Sequence, residues 1–404
     1  MRHSVLAVLA AAFLVAASPA VQAETAAESV DYIVVLKKGS DPSKVAKEHG
    51  NKHKTKLSRT YSHALRGYSA NMTSAAAKKI AEDSRVEFVQ VDQEVTVAAQ
   101  TLPTGINRVD ADASPTANIN NVDQRVGVDV AVIDTGIQLN HPDLNVYTAG
   151  AKNCSTGSSA ADGNGHGTHV AGTIGALDNT SGVVGVAPGA RVWPIRVLNN
   201  SGSGSFSSII CGIDYVTAHA GEIEVANMSL GGSGTDDSNC GNTNGDAMHQ
   251  AICASVAAGV TYAVAAGNSS ANSSGYVPAS YNEVITVSAL ADFNGLPGGG
   301  AAATCRSDVD DTFASFSNYG SDVDLIAPGV CIYSTWTGSG YNTISGTSMA
   351  TPHVAGAAAL YKATHPTASP AAVKSALQTA GTTNWTNSDD PDGIKEKLLN
   401  VTGF

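Results

Sequence analysis

From about residue 105 onward, the apolar residues of this chain fall in short, nearly uninterrupted runs divided by Gly-rich turns. The runs cover 126–133, 190–197, 225–230, 260–266, 284–289 and 323–326. A strand with one wet face alternates apolar and polar residues, so continuous runs mean strands buried on both faces. Between them, apolar residues at helical spacing predict helices over 166–176, 205–220, 246–259, 348–364 and 369–380. That alternation predicts an α/β fold with a mostly parallel central sheet flanked by helices.

The first quarter reads differently. A basic start, Met1-Arg2-His3, leads into an apolar stretch over 5–17 that ends at Ala20-Val21-Gln22-Ala23. This is the pattern of a secretory signal peptide over 1–23. The stretch is shorter than the ~20 residues of a membrane span, and no later run is longer, so no membrane partner is expected. Next come strand patterns at 32–36, 65–70 and 86–91, with helices at 41–48 and 73–82. They predict a small α+β unit of split βαβ type, followed by a linker over 98–103.

Composition sharpens this division. Of 404 residues, 43% are hydrophobic and 14% charged, which excludes a disordered chain. The net charge of −12 argues against nucleic acid as a partner, because such a surface needs clustered positive charge. Residues 1–98 hold 13 Lys and Arg against 10 Asp and Glu, whereas the remainder hold 10 against 25. Two units of opposite sign should attract. All six cysteines lie in the second, and export makes them disulfide candidates. Many pairings are open to six cysteines; short loops favour Cys240–Cys253 and Cys305–Cys331, leaving Cys154–Cys211. The run Asp389-Asp390-Pro391-Asp392-Gly393 reads as a solvated turn.

Three segments carry candidate chemistry. Asp134 ends a buried strand in Ala131-Val132-Ile133-Asp134-Thr135-Gly136, at the sheet edge where ligands gather. His166 opens a helix in Asp162-Gly163-Asn164-Gly165-His166-Gly167-Thr168-His169, with glycines that let the imidazole approach a partner. His166 and His169 are also spaced like a zinc pair, but the companion Glu and a third ligand are missing. Ser348 starts a helix in Gly346-Thr347-Ser348-Met349-Ala350-Thr351-Pro352-His353, where free N–H groups favour developing negative charge. Taken alone, Ser348 is also a plausible N-cap.

Together these motifs resemble the subtilisin-like serine proteases over 126–364, closest to the proteinase K branch through Ser317-Asn318-Tyr319-Gly320 and Ser334-Thr335-Trp336. The region before residue 99 resembles the inhibitory propeptide of that family. The resemblance implies three segments: a signal peptide (1–23), a ferredoxin-like inhibitory propeptide (24–98) and a subtilisin-like peptidase domain (99–404). It implies a secreted, monomeric serine endopeptidase acting on protein and peptide substrates, made as a self-processing precursor with its own propeptide as inhibitor. Ser348 would be the nucleophile, His166 the base, Asp134 its orienting carboxylate and Asn268 the oxyanion donor; read without the family, Asn268 is a turn residue after a strand. Substrate would lie as an added strand between Ser201-Gly202-Ser203-Gly204 and Ser229-Leu230-Gly231-Gly232. Tyr276 and residues 265–268 would wall an apolar primary pocket, although the acidic pair Asp236 and Asp237 leaves a basic-site protease open. Structural Ca²⁺ is expected on the Asp324 carboxylate and the carbonyls of Asn282 and Val284. A catalytically dead, peptide-binding relative is the reading from another class, and the complete set of reactive residues argues against it.

Overall fold

The computed structural model describes residues 29–93, 99–387 and 389–404. The signal peptide expected over 1–23 and the tail Val95-Thr96-Val97-Ala98 lie outside the described residues. Two units result, 29–93 and 99–404.

The first unit runs β1 (Ser29–Leu36), α1 (Pro42–His53), β2 (Lys56–Tyr61), β3 (Gly67–Thr73), α2 (Ser74–Ala81) and β4 (Val86–Val91). Its sheet is antiparallel in the order β2-β3-β1-β4, the ferredoxin-like arrangement. Asp41 caps α1 by accepting the Lys44 N–H, and Thr73 caps α2 through the Ala76 N–H. Sequence pattern misses β2, because its side chains are exposed along most of their length and no apolar run marks them. It also ends α1 early. The buried face of that helix continues through a polar ring: His49 hydrogen-bonds Tyr68 at 2.6 Å and Asp83 at 3.0 Å.

The second unit contains α3 (Thr104–Arg108), β5 (Asp129–Asp134), β6 (Lys152–Asn153), α4 (His166–Gly175), β7 (Arg191–Arg196), α5 (Phe206–Ala218) and β8 (Val225–Met228). It continues with β9 (Gly232–Ser233), α6 (Ala247–Ala257), β10 (Thr261–Ala265), β11 (Tyr276–Val277), β12 (Ile285–Ala291), β13 (Thr312–Phe313) and β14 (Leu325–Pro328). It closes with β15 (Ile332–Trp336), β16 (Gly340–Ile344), α7 (Thr347–Thr364), α8 (Pro370–Ala380) and β17 (Lys397–Leu398). The main sheet has the order β17-β14-β12-β10-β8-β5-β7-β6, parallel throughout, with β13 joining β12 antiparallel. The expected mostly parallel α/β sheet is what forms.

Alternation along β5 explains the layers. Val130 and Val132 face the cluster that holds Val170 and Ile174 of α4 and Val354 and Leu360 of α7. Ala131 and Ile133 face the opposite cluster, with Ile209 and Ile213 of α5 and Ile252 of α6. Both faces are dry, which is why the strand runs read as continuous. The three disulfides are Cys154–Cys211, Cys240–Cys253 and Cys305–Cys331.

The acidic run 389–393 is the exposed turn expected of it except at Asp390, and a buried carboxylate, Glu396, follows it. Asp390 is 9% exposed and Glu396 only 5%, and neither Glu396 oxygen has a hydrogen-bond partner. Burial, with the Asp390 and Asp392 charges adding to it, pushes the Glu396 carboxyl up to about 8. The folded state therefore holds a proton that the unfolded chain releases near ~4.3, and stability from this group is lost as pH rises through about 8. Glu396→Gln should match the wild-type thermal midpoint near pH ~4 and exceed it by a few degrees near pH ~9. Parallel pH curves for the two proteins in calorimetry would contradict this.

Candidate active site

Asp134 closes β5 with its carboxylate fully buried. Thr135 N–H donates to Oδ1 at 2.6 Å, and His166 Nδ1 donates to Oδ1 and Oδ2 at 2.8 and 3.0 Å. His166 is the first residue of α4, so its position is set by where that helix begins. Asp162 fixes the start. Its Oδ1 accepts from Asn164 N, Gly165 N and Thr135 Oγ1, each at 2.9 Å, and its Oδ2 from Thr168 N at 3.0 Å and Thr168 Oγ1 at 2.6 Å. The helix can then approach β5 because residue 167 is glycine: a Cβ there would lie 2.1 Å from the Gly136 carbonyl oxygen. Burial disfavours charge on the His166 ring, but the Asp134 charge and hydrogen bond, with Asp162 behind them, hold its pKa above the ordinary value.

Ser348 is the second residue of α7, where unpaired N–H groups face outward. Pro352 sits deeper in the helix than the first turn, where proline is normally tolerated. Having no N–H, it leaves the Ser348 carbonyl without its helical donor. Ser229 Oγ supplies one at 2.8 Å. In return Ser348 Oγ donates to the Ser229 carbonyl at 3.2 Å. The nucleophile candidate is thus tied to the strand end after β8.

His166 and Ser348 share a cleft of about 520 Å³ with Gly202, Ser203, Gly204, and residues 229–232. Ser201 is absent from that lining. A second cavity of about 260 Å³ opens from Ser348 between residues 230–233 and 265–269, with Tyr276 on its wall and no charged side chain. Asn268 lies there; its Oδ1 accepts from Thr347 N at 2.8 Å and Thr347 Oγ1 at 3.0 Å, which leaves its amide nitrogen as the donor on a wall it shares with Ser348. Gly232 and Ser233 pair with Val277 and Tyr276, so this flank is already strand. Asp236 and Asp237 line neither cavity; they face His249 instead. The acidic pair therefore gives no support to a basic primary pocket.

Comparison with known proteins settles the family. The subtilase family model matches residues 125–397, and the peptidase inhibitor I9 model matches residues 31–98. The chain belongs to the subtilase family. Subtilisin DY of Bacillus licheniformis is 43% identical over 307 residues, covering 75% of this chain and 98% of that protein. An extracellular serine proteinase of Thermus sp. is 40% identical over 335 residues, covering 81% of this chain and 74% of the relative. Among solved structures, a cold adapted subtilisin-like serine proteinase matches with TM-score 0.57 and 35% identity, over 74% of this chain and 97% of that one. This subtilase is a serine endopeptidase with an I9-type inhibitor domain before its catalytic unit.

Two metal arrangements weighed from the sequence do not fit, the zinc pair it already disfavoured and the calcium site it expected. His169 is fully buried with Nε2 donating to the Ile332 carbonyl at 2.9 Å, and burial pushes its pKa down to about 3. It braces α4 against β15 and offers no zinc pair with His166. The calcium expected on Asn282, Val284 and Asp324 does not fit either. Those groups do converge, but on the ammonium of Lys374 from α8. Its Nζ is 2.8 Å from Asp324 Oδ2, 2.7 Å from the Val284 carbonyl and 3.3 Å from the Asn282 carbonyl. Gln378 Nε2 donates to the other carboxylate oxygen at 3.1 Å. One positive charge already satisfies this donor set, and a dication beside it would be repelled. No sequence motif announces Lys374, since it stands 50 residues from Asp324 on a solvent-facing helix pattern.

Removing that charge should therefore expose a latent metal site. Lys374→Ala should lower the thermal midpoint, costing about 2–3 kcal/mol for stranding a largely buried carboxylate. Millimolar calcium should then raise the midpoint of the variant more than that of the wild type. An equal calcium response in both proteins would show that the lysine does not hold the place of the ion.

Proposed function

We propose that the chain is a secreted endopeptidase that hydrolyses peptide bonds through Asp134, His166 and Ser348. The observation that carries this reading is the hydrogen bond from His166 Nδ1 to a fully buried Asp134, in the cleft that also holds Ser348. With Nδ1 donating, Nε2 carries the lone pair and can take the Ser348 proton as Oγ attacks the scissile carbonyl. Asp134 stabilises the imidazolium that results, and Nε2 then returns the proton to the leaving amine. Asn268 Nδ2 and the Ser348 N–H are the donors for the tetrahedral oxyanion. Such a side-chain donor is worth ~10²–10³ in rate, a figure measured for the matching Asn of subtilisin.

Substrate would lie as a strand between 202–204 and 229–232, where glycines admit another backbone. The uncharged pocket with Tyr276 favours an apolar residue before the cut. Residues 24–98 act as the inhibitory propeptide, and 99–404 as the mature monomeric enzyme. The signal peptide over 1–23 directs export. The chain cuts itself near Ala98, because the small, apolar residues before it suit the same pocket.

Ser348→Ala should lose at least ~10⁴-fold in turnover and persist as the full precursor in a host without other proteases. Wild-type chain should mature to a start near Ala99 or Gln100 by terminal sequencing. Normal maturation of the variant would refute self-cleavage, and retained turnover would refute the nucleophile.

The acid limb gives a separate check. His166 must be neutral to accept a proton, and its pKa stands above the ordinary value. Catalytic efficiency should climb with pH through a midpoint above ~6.5. An optimum near ~4 would point to a carboxylate base instead.

A further inference from the structure

His249, in the first turn of α6, plays no part in the peptidase site. Its ring is fully buried and stacks on Tyr281 with centroids 3.9 Å apart and planes 3° from parallel. Nε2 lies 2.8 Å from Glu283 Oε2. An ionised carboxylate only accepts, so Nε2 carries the hydrogen. In the neutral ring Nδ1 then holds the lone pair. It has no hydrogen-bond partner, and it faces Asp236 Oδ1 at 3.5 Å and Asp237 Oδ1 at 3.6 Å.

A lone pair pointed at two anionic oxygens is repulsive unless a cation sits between them. A proton on Nδ1 is a poor answer, because N–H···O bonds close at ~2.7–3.2 Å. A metal is a better one. Four ligands at ~2.0–2.2 Å in a tetrahedron stand ~3.4 Å from one another, close to both observed separations. The three ligand atoms all lie within 4.8 Å of one another. Glu283 behind the far ring nitrogen completes the carboxylate–histidine–metal arrangement that sets the tautomer of metal-bound imidazoles.

Both carboxylates are held for this task. Asp237 accepts the N–H groups of Asn239, Gly241, Thr243 and Asn244 at 2.9, 2.8, 2.7 and 3.2 Å. Asp236 accepts Ser238 N and Asn282 Nδ2, each at 2.8 Å. The nearby sulfurs of Cys240 and Cys253 are joined in a disulfide and are unavailable as ligands. Imidazole with two carboxylates suits zinc and its neighbours; calcium and magnesium prefer oxygen alone.

We propose that Asp236, Asp237 and His249 Nδ1 form a three-ligand site for a zinc-type divalent cation, with Glu283 orienting the ring. The metal fastens the loop between β9 and α6, and β9 flanks the substrate cleft. Its role is to hold that loop.

The test uses the full chain carrying Ser348→Ala, which prevents self-digestion, after treatment with chelator. Titration with Co²⁺, read by visible absorption, should show one tightly held tetrahedral ion that one equivalent of Zn²⁺ displaces. Zinc should raise the thermal midpoint. Asp236→Asn keeps the shape and the hydrogen bond from Asn282, so it should fold; it should weaken the metal by more than the ~10-fold that loss of an outer-shell partner commonly costs. His249→Gln should abolish uptake. Failure of the parent to take up a stoichiometric ion overturns the proposal, as does equal affinity in parent and Asp236→Asn. So does a ring shown by NMR to keep hydrogens on both nitrogens in the presence of zinc.

Discussion

A carboxylate buried at the end of a central strand is the constraint on which the catalytic unit turns. Asp134 has no solvent to share its charge, and an unpaired buried charge costs several kcal/mol. The fold must therefore bring a donor to it, and it does so by aiming the first turn of α4 at β5. That demand explains features otherwise unrelated. Asp162 ties the entry of the helix with five hydrogen bonds, and glycine at 167 permits the approach. From the other side, Thr335 Oγ1 and Ser334 Oγ of the β15–β16 hairpin donate to the carbonyls of Thr168 and His169. The imidazole is rigid because everything around it serves the carboxylate.

The same economy holds at Ser348. Pro352 would ordinarily weaken α7 by removing a hydrogen bond. Here the freed carbonyl binds the Ser229 hydroxyl, which couples the nucleophile's helix to the strand end that lines the substrate cleft. A helix defect becomes a tie between two walls of the site.

What sequence reading could reach follows from this. The central strands and five helices were legible because burial on both faces leaves continuous apolar runs, and the reactive residues because long motifs surround them. The β15–β16 hairpin was not, since β16 is only partly buried, the buried residues of β15 are mostly polar, and the two strands pair with each other alone. Lys374 and Asp162 were invisible for another reason. Their importance lies in where a side chain ends, and neither periodicity nor motif reports that. The calcium site expected on Asp324 failed at this point: the three oxygens do converge, but the cation among them comes from a helix whose pattern showed only a polar face. Whether Asp236 and Asp237 bordered the pocket also depended on side-chain direction, and they turn to His249.

Buried carboxylates around the sheet are answered in two ways. At the amino ends of β12 and β14, Asp324 and two carbonyls meet an ammonium. Lysine stays charged across the physiological range and has no lone pair to offer while it does, so the contact is a fixed staple between α8 and the sheet. Arg108 of α3 plays the same part on the other edge, past the carboxyl end of β12, against the buried Asp292 and Asp311 at 2.9 and 2.5 Å. At the carboxyl end of β5 the partner is histidine, the side chain that both holds and surrenders a proton near neutrality. A lysine facing Asp134 would stabilise the carboxylate equally well and leave nothing to accept the Ser348 proton. Reactivity therefore depends on which partner faces the buried carboxylate: a proton-exchanging ring at the end of β5, where ligands gather, and permanent charges where the contact only has to hold.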